Sequence, residues 1–230
     1  MNINKHLEII KEFLNTLSQN NYAKDNFTLK GGTALLMCYG LDRFSTDIDL
    51  DSTKQGNIEN IVRKFCNEHN YLIAENGIKD TNYGQRFKIH YDINEPNLFL
   101  KIETSKRTSE LTNKNIVEIN NIKTYSIDKI MNLKLSAFNG RDKIRDLYDI
   151  VFIYKNYSND LKEETIDRLK EEFSYKNFDY VLTMIETMND EDKEIIDIEK
   201  LENDYLEVCS NLDIEPEEIE SSDNNSDPVE

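Results

Sequence analysis

The chain has 230 residues, of which 45 are acidic and 28 are basic, and its formal net charge is −17. With 38% hydrophobic and 32% charged residues, it has the composition of a globular protein with a modest core, in one large domain or two small ones. No apolar run reaches the ~18 residues that a membrane-spanning helix needs. The three cysteines are widely spaced and the N-terminus lacks signal-peptide features. We therefore expect a cytoplasmic protein without membrane contact, disulfide or structural zinc.

The negative charge is concentrated at the C-terminal end. Residues 190–230 contain 17 acidic and two basic residues, so that segment carries −15 and the first 189 residues carry only −2. The main body is therefore nearly neutral, and the overall acidity does not exclude a polyphosphate ligand.

The first half of the chain predicts a mixed sheet with helices. Apolar residues at three- and four-residue spacing predict an amphipathic first helix, and a second helix-like pattern covers 57–69. A short strand, a helix from Thr33 to Tyr39 and a strand with alternating aspartates lie between them. Further strand-like segments follow at 71–75, 85–93, 98–104 and 116–125.

After Tyr125 the pattern becomes helical. Ser126 is a candidate N-cap for a helix over 126–138, and a second helix is predicted over 141–155. Further helices are predicted near 162–173, 177–188 and 191–211. The predicted organisation is α+β, with an α/β domain (1–125), a helical bundle domain (126–212) and an acidic tail (213–230) whose composition is typical of disorder.

The most informative stretch is an acidic strand. Alternation places Asp47, Asp49 and Asp51 on one face of a strand, with Ile48 and Leu50 on the other. Carboxylates this close repel each other unless a cation lies between them. Mg²⁺ accepts one or two carboxylates together with phosphate oxygens, and it can serve an in-line nucleotidyl transfer. Asp47 and Asp49 are the candidate metal ligands, and Asp51 is interpreted as a strand-end carboxylate.

Two adjacent glycines precede that strand. Gly31 and Gly32 permit backbone conformations that bring N–H groups close to a phosphate, and Thr33 could add a hydroxyl donor at the start of a helix. Each feature alone has a simpler explanation, namely a tight turn for the glycines and a solvated strand edge for the aspartates. Their combination, in the order strand, Gly-Gly-Thr, helix and acidic strand, favours a nucleotide site.

These residues resemble a known superfamily. Nucleotidyltransferases of the DNA polymerase β type carry Gly followed by Gly or Ser, a short gap and then Asp-x-Asp/Glu. Gly32-Thr33, a 13-residue gap and Asp47-Ile48-Asp49 fit that pattern, with threonine in place of serine. More specifically, KGGTAL followed by RFSTDIDLD resembles the AbiEii-type nucleotidyltransferases, which are toxins of type IV toxin–antitoxin and abortive-infection systems. The resemblance covers most of residues 25–150 and implies a polymerase-β-like sheet.

The resemblance implies further site residues. A third carboxylate on a later strand would be Glu103, although a surface glutamate opposite Lys101 is an alternative. In the downstream block KLSAFNGRDKIRDLYDI, Lys134 would contact the phosphates and Asp146 would be the essential carboxylate. An ordinary amphipathic helix pair also explains this block, with its aspartates paired to Lys143 and Arg145 at helical spacing.

Two residues immediately before the aspartates match the family's RFS block. Arg43 could reach a phosphate, orient an aspartate or form a loop-anchoring salt bridge, and Ser45 is grouped with it as nucleotide-binding. The three histidines have no metal-ligand spacing, and no catalytic role is predicted for them.

The sequence therefore predicts a Mg²⁺-dependent nucleotidyltransferase that moves NMP from an NTP to an acceptor. The resemblance implies that the acceptor is RNA, particularly a tRNA end, that the protein is a bacterial toxin, and that a cognate antitoxin protein binds it. Two alternatives stay open. A glycosyltransferase would use the Asp-x-Asp but would not explain the Gly-Gly-Thr segment, and a non-catalytic nucleotide- or protein-binding module would keep the same fold.

Overall fold

The computed structural model describes residues 2–92, 94–95, 98–106 and 113–214. The acidic tail predicted at 213–230 lies almost entirely outside the described residues. Within the described part of the chain, no helix combines the length and apolar character that a bilayer crossing requires.

The described elements alternate between strands and helices in the first half and are helical thereafter. The strands are β1 Phe27–Lys30, β2 Asp47–Ser52, β3 Leu72–Ile73, β4 Lys79–Thr81, β5 Gly84–His90, β6 Phe99–Lys106, β7 Ile116–Ile119 and β8 Ile122–Tyr125. The helices are α1 Ile3–Ser18, α2 Asn21–Asn26, α3 Gly31–Tyr39, α4 Glu59–His69, α5 Ile127–Gly140, α6 Ile144–Tyr157, α7 Glu163–Tyr175, α8 Phe178–Glu186, α9 Asp190–Lys193 and α10 Ile198–Asn211.

The strands form one mixed sheet in the order β3-β5-β6-β2-β1-β8-β7, with β4 added beside β5. The central strand β2 runs antiparallel to β1 and parallel to β6. This confirms the predicted α+β fold with a mixed sheet and flanking helices. Because β2 is central, both of its neighbours contribute side chains to the face that carries the aspartates.

The opposite face of the sheet is the hydrophobic core. Ile48 and Leu50 are 0% and 1% exposed, and they join the buried aliphatic and aromatic residues of the neighbouring strands. Helices α1 and α4 cover this side with apolar stripes at helical spacing. The core therefore fixes which face of β2 its carboxylates occupy.

Several predicted boundaries shift in the structure. The segment 116–125 is a hairpin rather than one strand, because Asn120 and Asn121 adopt φ values of 53° and 62° that turn the chain. Ser126 caps α5 by accepting the backbone N–H of Lys129, as predicted. Helix α5 then packs against α3, α6 and α7, which brings the helical half of the chain to the edge of the carboxylate strand.

Candidate active site

The parallel pairing of β2 and β6 sets a row of charges on the open face of the sheet. Asp47 lies beside Lys101, and Asp49 lies beside Glu103. On the other side of β2, Lys30 pairs in register with Asp49. Since register partners project to the same face, these five side chains form one charged surface at the centre of the sheet.

Asp49 differs from its neighbours in that surface. Among the residues that the structure describes, none gives its carboxylate a hydrogen bond or an ion pair. Burial raises the pKa of Asp49, and the negative charges of Asp47 and Glu103 raise it further. An unpaired, largely buried carboxylate beside two others is energetically unfavourable unless a cation joins them.

Asp47 and Glu103 are held by basic side chains. Nζ of Lys101 lies 2.7 Å from Oδ2 of Asp47 and 3.4 Å from Oε2 of Glu103. Nε of Arg86 donates to Oε1 of Glu103 at 2.5 Å. Burial opposes ionisation of Glu103, but the hydrogen bond from Arg86 and the charge of Lys101 outweigh it and lower the pKa of that carboxyl. Both oxygens of Glu103 are thus engaged by cations.

The glycine pair forms the turn that faces Asp49. Gly31 has φ +75°, in the left-handed region, and a Cβ there would lie 3.1 Å from Oδ2 of Asp49. A Cβ on Gly32 would lie 2.9 Å from Oγ of Ser45 and 3.1 Å from a guanidinium nitrogen of Arg43. Helix α3 begins at Gly31, two residues earlier than predicted. The left-handed backbone favours glycine at position 31, and at both positions a Cβ would crowd side chains around the acidic strand.

Thr33 and Ser45 support the strand from behind. The hydroxyl of Thr33, only 1% exposed, donates to the backbone carbonyl of Asp47. Because that proton is used, the hydroxyl of Ser45 is the donor in its 2.9 Å hydrogen bond with Thr33. The predicted direct contact of Thr33 with phosphate does not fit this position. The two hydroxyls fix the start of β2 instead.

His6 anchors the same segment from helix α1. Its Nε2 lies 2.8 Å from the backbone carbonyl of Thr46, and its Nδ1 contacts the hydroxyl of Tyr91. Burial lowers the pKa of His6 and so favours the neutral ring, in which Nε2 donates to the carbonyl of Thr46 and Nδ1 accepts from the hydroxyl of Tyr91. The residue has a structural role at the start of β2.

A buried charge network lies on the helical side. Nζ of Lys134, on α5, is 2.9 Å from Oδ1 of Asp146 and 2.5 Å from Oδ2 of Asp149. Asp146 and Asp149 are three residues apart on α6 and so share a helix face. Arg43 binds Asp149 through two 2.7 Å hydrogen bonds, and Nε of Arg141 lies 2.9 Å from Oδ2 of Asp146.

The structure selects among the alternatives that the sequence left open for this network. Arg43 is 4% exposed and its guanidinium is bidentate to Asp149, so it forms a buried salt bridge and does not reach the cleft as a phosphate ligand. Asp146 and Asp149 do not pair with Lys143 or Arg145 at helical spacing, because Arg145 contacts Asp192.

The opposite charges of Lys134 and Asp146 stabilise each other. Burial opposes the charge on Lys134, but Asp149 and Asp146 outweigh it and raise the pKa of the lysine. Burial likewise opposes the charge on Asp146, and Lys134 and Arg141 outweigh it and lower the pKa of that carboxyl. Both shifts favour the charged forms of Lys134 and Asp146 at neutral pH.

A cleft of about 450 Å³ joins the two halves of the site. Its lining includes Gly31 and Asp49 from the sheet half of the chain and Lys134, Arg141 and Asp146 from the helical half. The side chain of Arg141 is 57% exposed, in contrast to the other members of the network. The geometry thus brings the predicted Asp49, Gly31, Lys134 and Asp146 to one cavity, with a half-exposed arginine at its side.

The donor set suits a hard divalent cation. Asp47 and Asp49 supply carboxylate oxygens, and the unpaired state of Asp49 leaves one carboxylate free to bind a cation. Within the described ranges, no three acidic, histidine or cysteine side chains form a ready-made metal site. Two carboxylates are sufficient for Mg²⁺ when substrate phosphates complete its coordination. Asp47 and Asp49 therefore fit the ion, provided that Asp47 releases Lys101 from Oδ2, whereas Glu103 would have to lose its contacts with both Arg86 and Lys101.

Several of these residues have only weak signals in the sequence. Lys30 lines the cleft and binds Asp51 at 2.6 Å, and it directly precedes the glycines. The positions of Lys101 and Arg86 beside the carboxylates depend on how neighbouring strands pair, which the sequence of a single strand does not show. Asp149 is the third aspartate of the downstream block, and its central place depends on Arg43 from another part of the chain.

Comparison with known proteins agrees with this arrangement. The chain matches the family described as "Nucleotidyl transferase AbiEii toxin, Type IV TA system" over residues 12–222. It is similar to JHP933 from Helicobacter pylori, with 27% identity, 90% of each chain covered and a TM-score of 0.70. It is also similar to an H. pylori protein provisionally described as a nucleotidyltransferase, with 26% identity and a TM-score of 0.74. That match covers 91% of this chain and 94% of the H. pylori chain. The search of curated proteins finds no match.

Proposed function

The chain belongs to the AbiEii family of nucleotidyltransferase toxins of type IV toxin–antitoxin systems, and from this premise we propose that it transfers NMP from an NTP to an RNA acceptor with Mg²⁺ as cofactor. The observation that supports the proposal is the cleft lined by Asp49, Lys134 and Arg141, in which the carboxylate of Asp49 has no hydrogen-bond or ion-pair partner among the described residues. A triphosphate bridging this cleft would meet acidic metal ligands on one side and cations on the other.

The cationic wall retains free donors for phosphate oxygens. An ammonium group has three N–H donors, and within the described residues Asp146 and Asp149 occupy two of those of Lys134. Arg141 uses Nε and one terminal nitrogen on Asp146, so its other terminal nitrogen has no partner in the described part of the chain. These donors would stabilise negative charge on the leaving pyrophosphate.

Asp47 and Asp49 would hold the Mg²⁺, with Glu103 as a further candidate ligand. When bound, the ion supplies Lewis-acid stabilisation of charge on the phosphoryl oxygens. The remaining residues position these groups. Glycine at position 31 allows the backbone to lie close to Asp49. The hydroxyl of Thr33 holds the carbonyl of Asp47, so that both carboxylates keep their direction.

The acceptor and the partner rest on family membership. Within a toxin–antitoxin system, the acceptor would be an RNA such as a tRNA end, and a cognate antitoxin protein would suppress the activity. The main body carries −2, so charge repulsion does not prevent an RNA from approaching the cleft.

Label transfer tests this proposal. The protein is incubated with Mg²⁺, total RNA and each of the four NTPs labelled at the α-phosphate. We expect labelled RNA with at least one NTP, and none with an Asp47→Asn/Asp49→Asn variant. The matched control is Glu59→Gln/Glu68→Gln, which also removes two carboxylates, both on helix α4. NTP binding without transfer to any acceptor would contradict the enzyme and favour the binding module.

A further inference from the structure

Lys101 occupies an unusual position in the charged face of the sheet. Its ammonium group contacts Oδ2 of Asp47 at 2.7 Å and Oε2 of Glu103 at 3.4 Å. Its side chain is 27% exposed, and those of Asp47 and Glu103 are 35% and 30% exposed. The lysine is therefore a half-buried cation that bridges two of the three candidate metal-binding carboxylates.

The surroundings of Lys101 make this bridge specific. On β5, Lys88 is the register partner of Lys101, but it lies over the ring of Phe99 at 4.4 Å and forms no ion pair within the described ranges. Arg86 holds the other oxygen of Glu103. Among these neighbouring cations, only Lys101 contacts both Asp47 and Glu103.

The oxygens that bind Lys101 are those that a metal ion would need. A divalent cation shared by Asp47 and Glu103 would use Oδ2 of Asp47 or Oε2 of Glu103, and its charge would repel an ammonium group held at the same atoms. Asp49 is not engaged by Lys101, so it alone offers an uncontested ligand. One carboxylate binds Mg²⁺ weakly without phosphate oxygens.

We propose that Lys101 is a tethered cation that competes with the divalent metal for Asp47 and Glu103, so that the metal binds tightly only together with the nucleotide. This inference rests on the proposed function, because it assumes that the cleft takes a metal–nucleotide complex. The triphosphate contributes oxygen ligands and negative charge that favour the metal over the lysine. Lys101 acts here as a positioning residue of the carboxylates, not as a catalytic residue.

The test measures metal affinity rather than activity. Mn²⁺ is titrated into the full chain, and free Mn²⁺ is followed by its electron paramagnetic resonance signal, with and without a non-hydrolysable NTP analogue. For Lys101→Met we expect binding of Mn²⁺ alone to tighten by about 10- to 100-fold, the range of a typical coupling free energy between two competing ligands. The analogue should then strengthen binding much less than it does in the unsubstituted chain.

Three further variants make the result specific. Lys101→Arg keeps the positive charge and should bind Mn²⁺ as the unsubstituted chain does. Lys88→Met removes a charge from the same face without freeing a carboxylate, and it should leave affinity unchanged. Adding Asp49→Asn to Lys101→Met should abolish the gain, which locates the ion at this site. Lys101→Gln replaces Lys101→Met if circular dichroism shows that the latter is unfolded.

The outcomes separate this inference from the proposed function. Unchanged or weaker Mn²⁺ binding in Lys101→Met, or an equal gain in Lys88→Met, would overturn the role of Lys101 even if label transfer to RNA occurs. A selective gain in Lys101→Met would support it even if no label reaches any RNA, and then only the proposed reaction would be overturned.

Discussion

The ammonium group of Lys134 lies 2.5 Å from Oδ2 of Asp149, and the two side chains are 10% and 0% exposed. The same ammonium also binds Asp146. It therefore neutralises two buried carboxylates and at the same time lines the cleft. A substitution of Lys134 is therefore expected to change both the stability of the fold and the properties of the cleft.

Lys134→Met should destabilise the fold strongly. It leaves Asp146 and Asp149 with fewer cations in a buried setting, and removing one partner of such a group costs about 3–5 kcal/mol. The free energy of unfolding in urea measures the loss. Lys129→Met, on the same helix, is the control, because Lys129 has no ion pair among the described residues and should change stability little. Equal stability of the two variants would contradict the buried network.

Arg141→Gln should separate binding from stability. The side chain is 57% exposed, so the fold should tolerate its loss, whereas turnover should fall by about 10²- to 10³-fold because a donor to the leaving phosphates is removed. Arg43→Gln is the counterpart, since it leaves Asp149 without its bidentate partner and should mainly lower stability. If Arg141→Gln proved as unstable as Arg43→Gln with normal turnover per folded molecule, the assignment of Arg141 to the cleft would be wrong.

Gly31→Ala should impair both folding and activity, and Gly40→Ala should impair folding alone. Both glycines have left-handed φ values, +75° and +74°, so each substitution should cost about 1–2 kcal/mol in the free energy of unfolding. Only at Gly31 would the added Cβ press on Asp49, at 3.1 Å, whereas Gly40 faces open space. Thermal unfolding and label transfer are measured on both. Normal activity of Gly31→Ala would show that the position of Asp49 is not critical.

Asp49→Asn should stabilise the protein at neutral pH while abolishing transfer. The pKa of Asp49 is raised by burial and by Asp47, so the ionised form is disfavoured in the folded state. The unfavourable contribution is present above the folded pKa and disappears as the pH falls through the folded and then the unfolded value, which is near 3.9. The stabilising effect of the substitution should therefore be largest near pH 7 and vanish toward pH 3. A variant less stable than the unsubstituted chain at pH 7 would show that Asp49 is already paired.

Asp146 should contribute to the loss of folding stability at acidic pH. Its pKa is lowered by Lys134 and Arg141 against the effect of burial, so its contribution is complete above the unfolded value of about 3.9 and is lost as the pH falls through the lower folded value. The free energy of unfolding is measured in urea between pH 5 and pH 2. In the Asp146→Asn variant it should decrease less steeply with falling pH than in the unsubstituted chain. The same pH dependence in both proteins would mean that the ion pairs of Asp146 contribute nothing to folding.

The local sequence predicted the elements that carry the chemistry. Alternation along β2 gave the common face of Asp47 and Asp49, and the Gly31-Gly32 pair indicated the turn beside them. The resemblance supplied Lys134 and Asp146, which the structure places at the same cleft as Asp49. These features depend on short-range periodicity and on a motif, and both can be read from a single sequence.

The partners of these residues could not be predicted in the same way. Register decides that Lys101 adjoins Asp47 and that Arg86 adjoins Glu103, and no periodicity within one strand fixes the register between strands. Arg43 reaches Asp149 only after the helical half has folded back against the sheet. The burial of Thr33 likewise depends on tertiary packing, so the hydrogen bond of its hydroxyl to the carbonyl of Asp47 could not be predicted from the sequence.

The central claim is that the cleft between Asp49 and Lys134 transfers a nucleotide and not a phosphoryl group. The most direct measurement compares two labels of the one NTP that is active, at the α- and at the γ-phosphate, in parallel reactions with RNA and Mg²⁺. The account predicts that RNA gains the α-label, that the γ-label leaves as pyrophosphate in equal amount, and that Asp47→Asn/Asp49→Asn yields neither. Transfer of the γ-label to RNA, or α-label transfer that persists in this double variant, would contradict it.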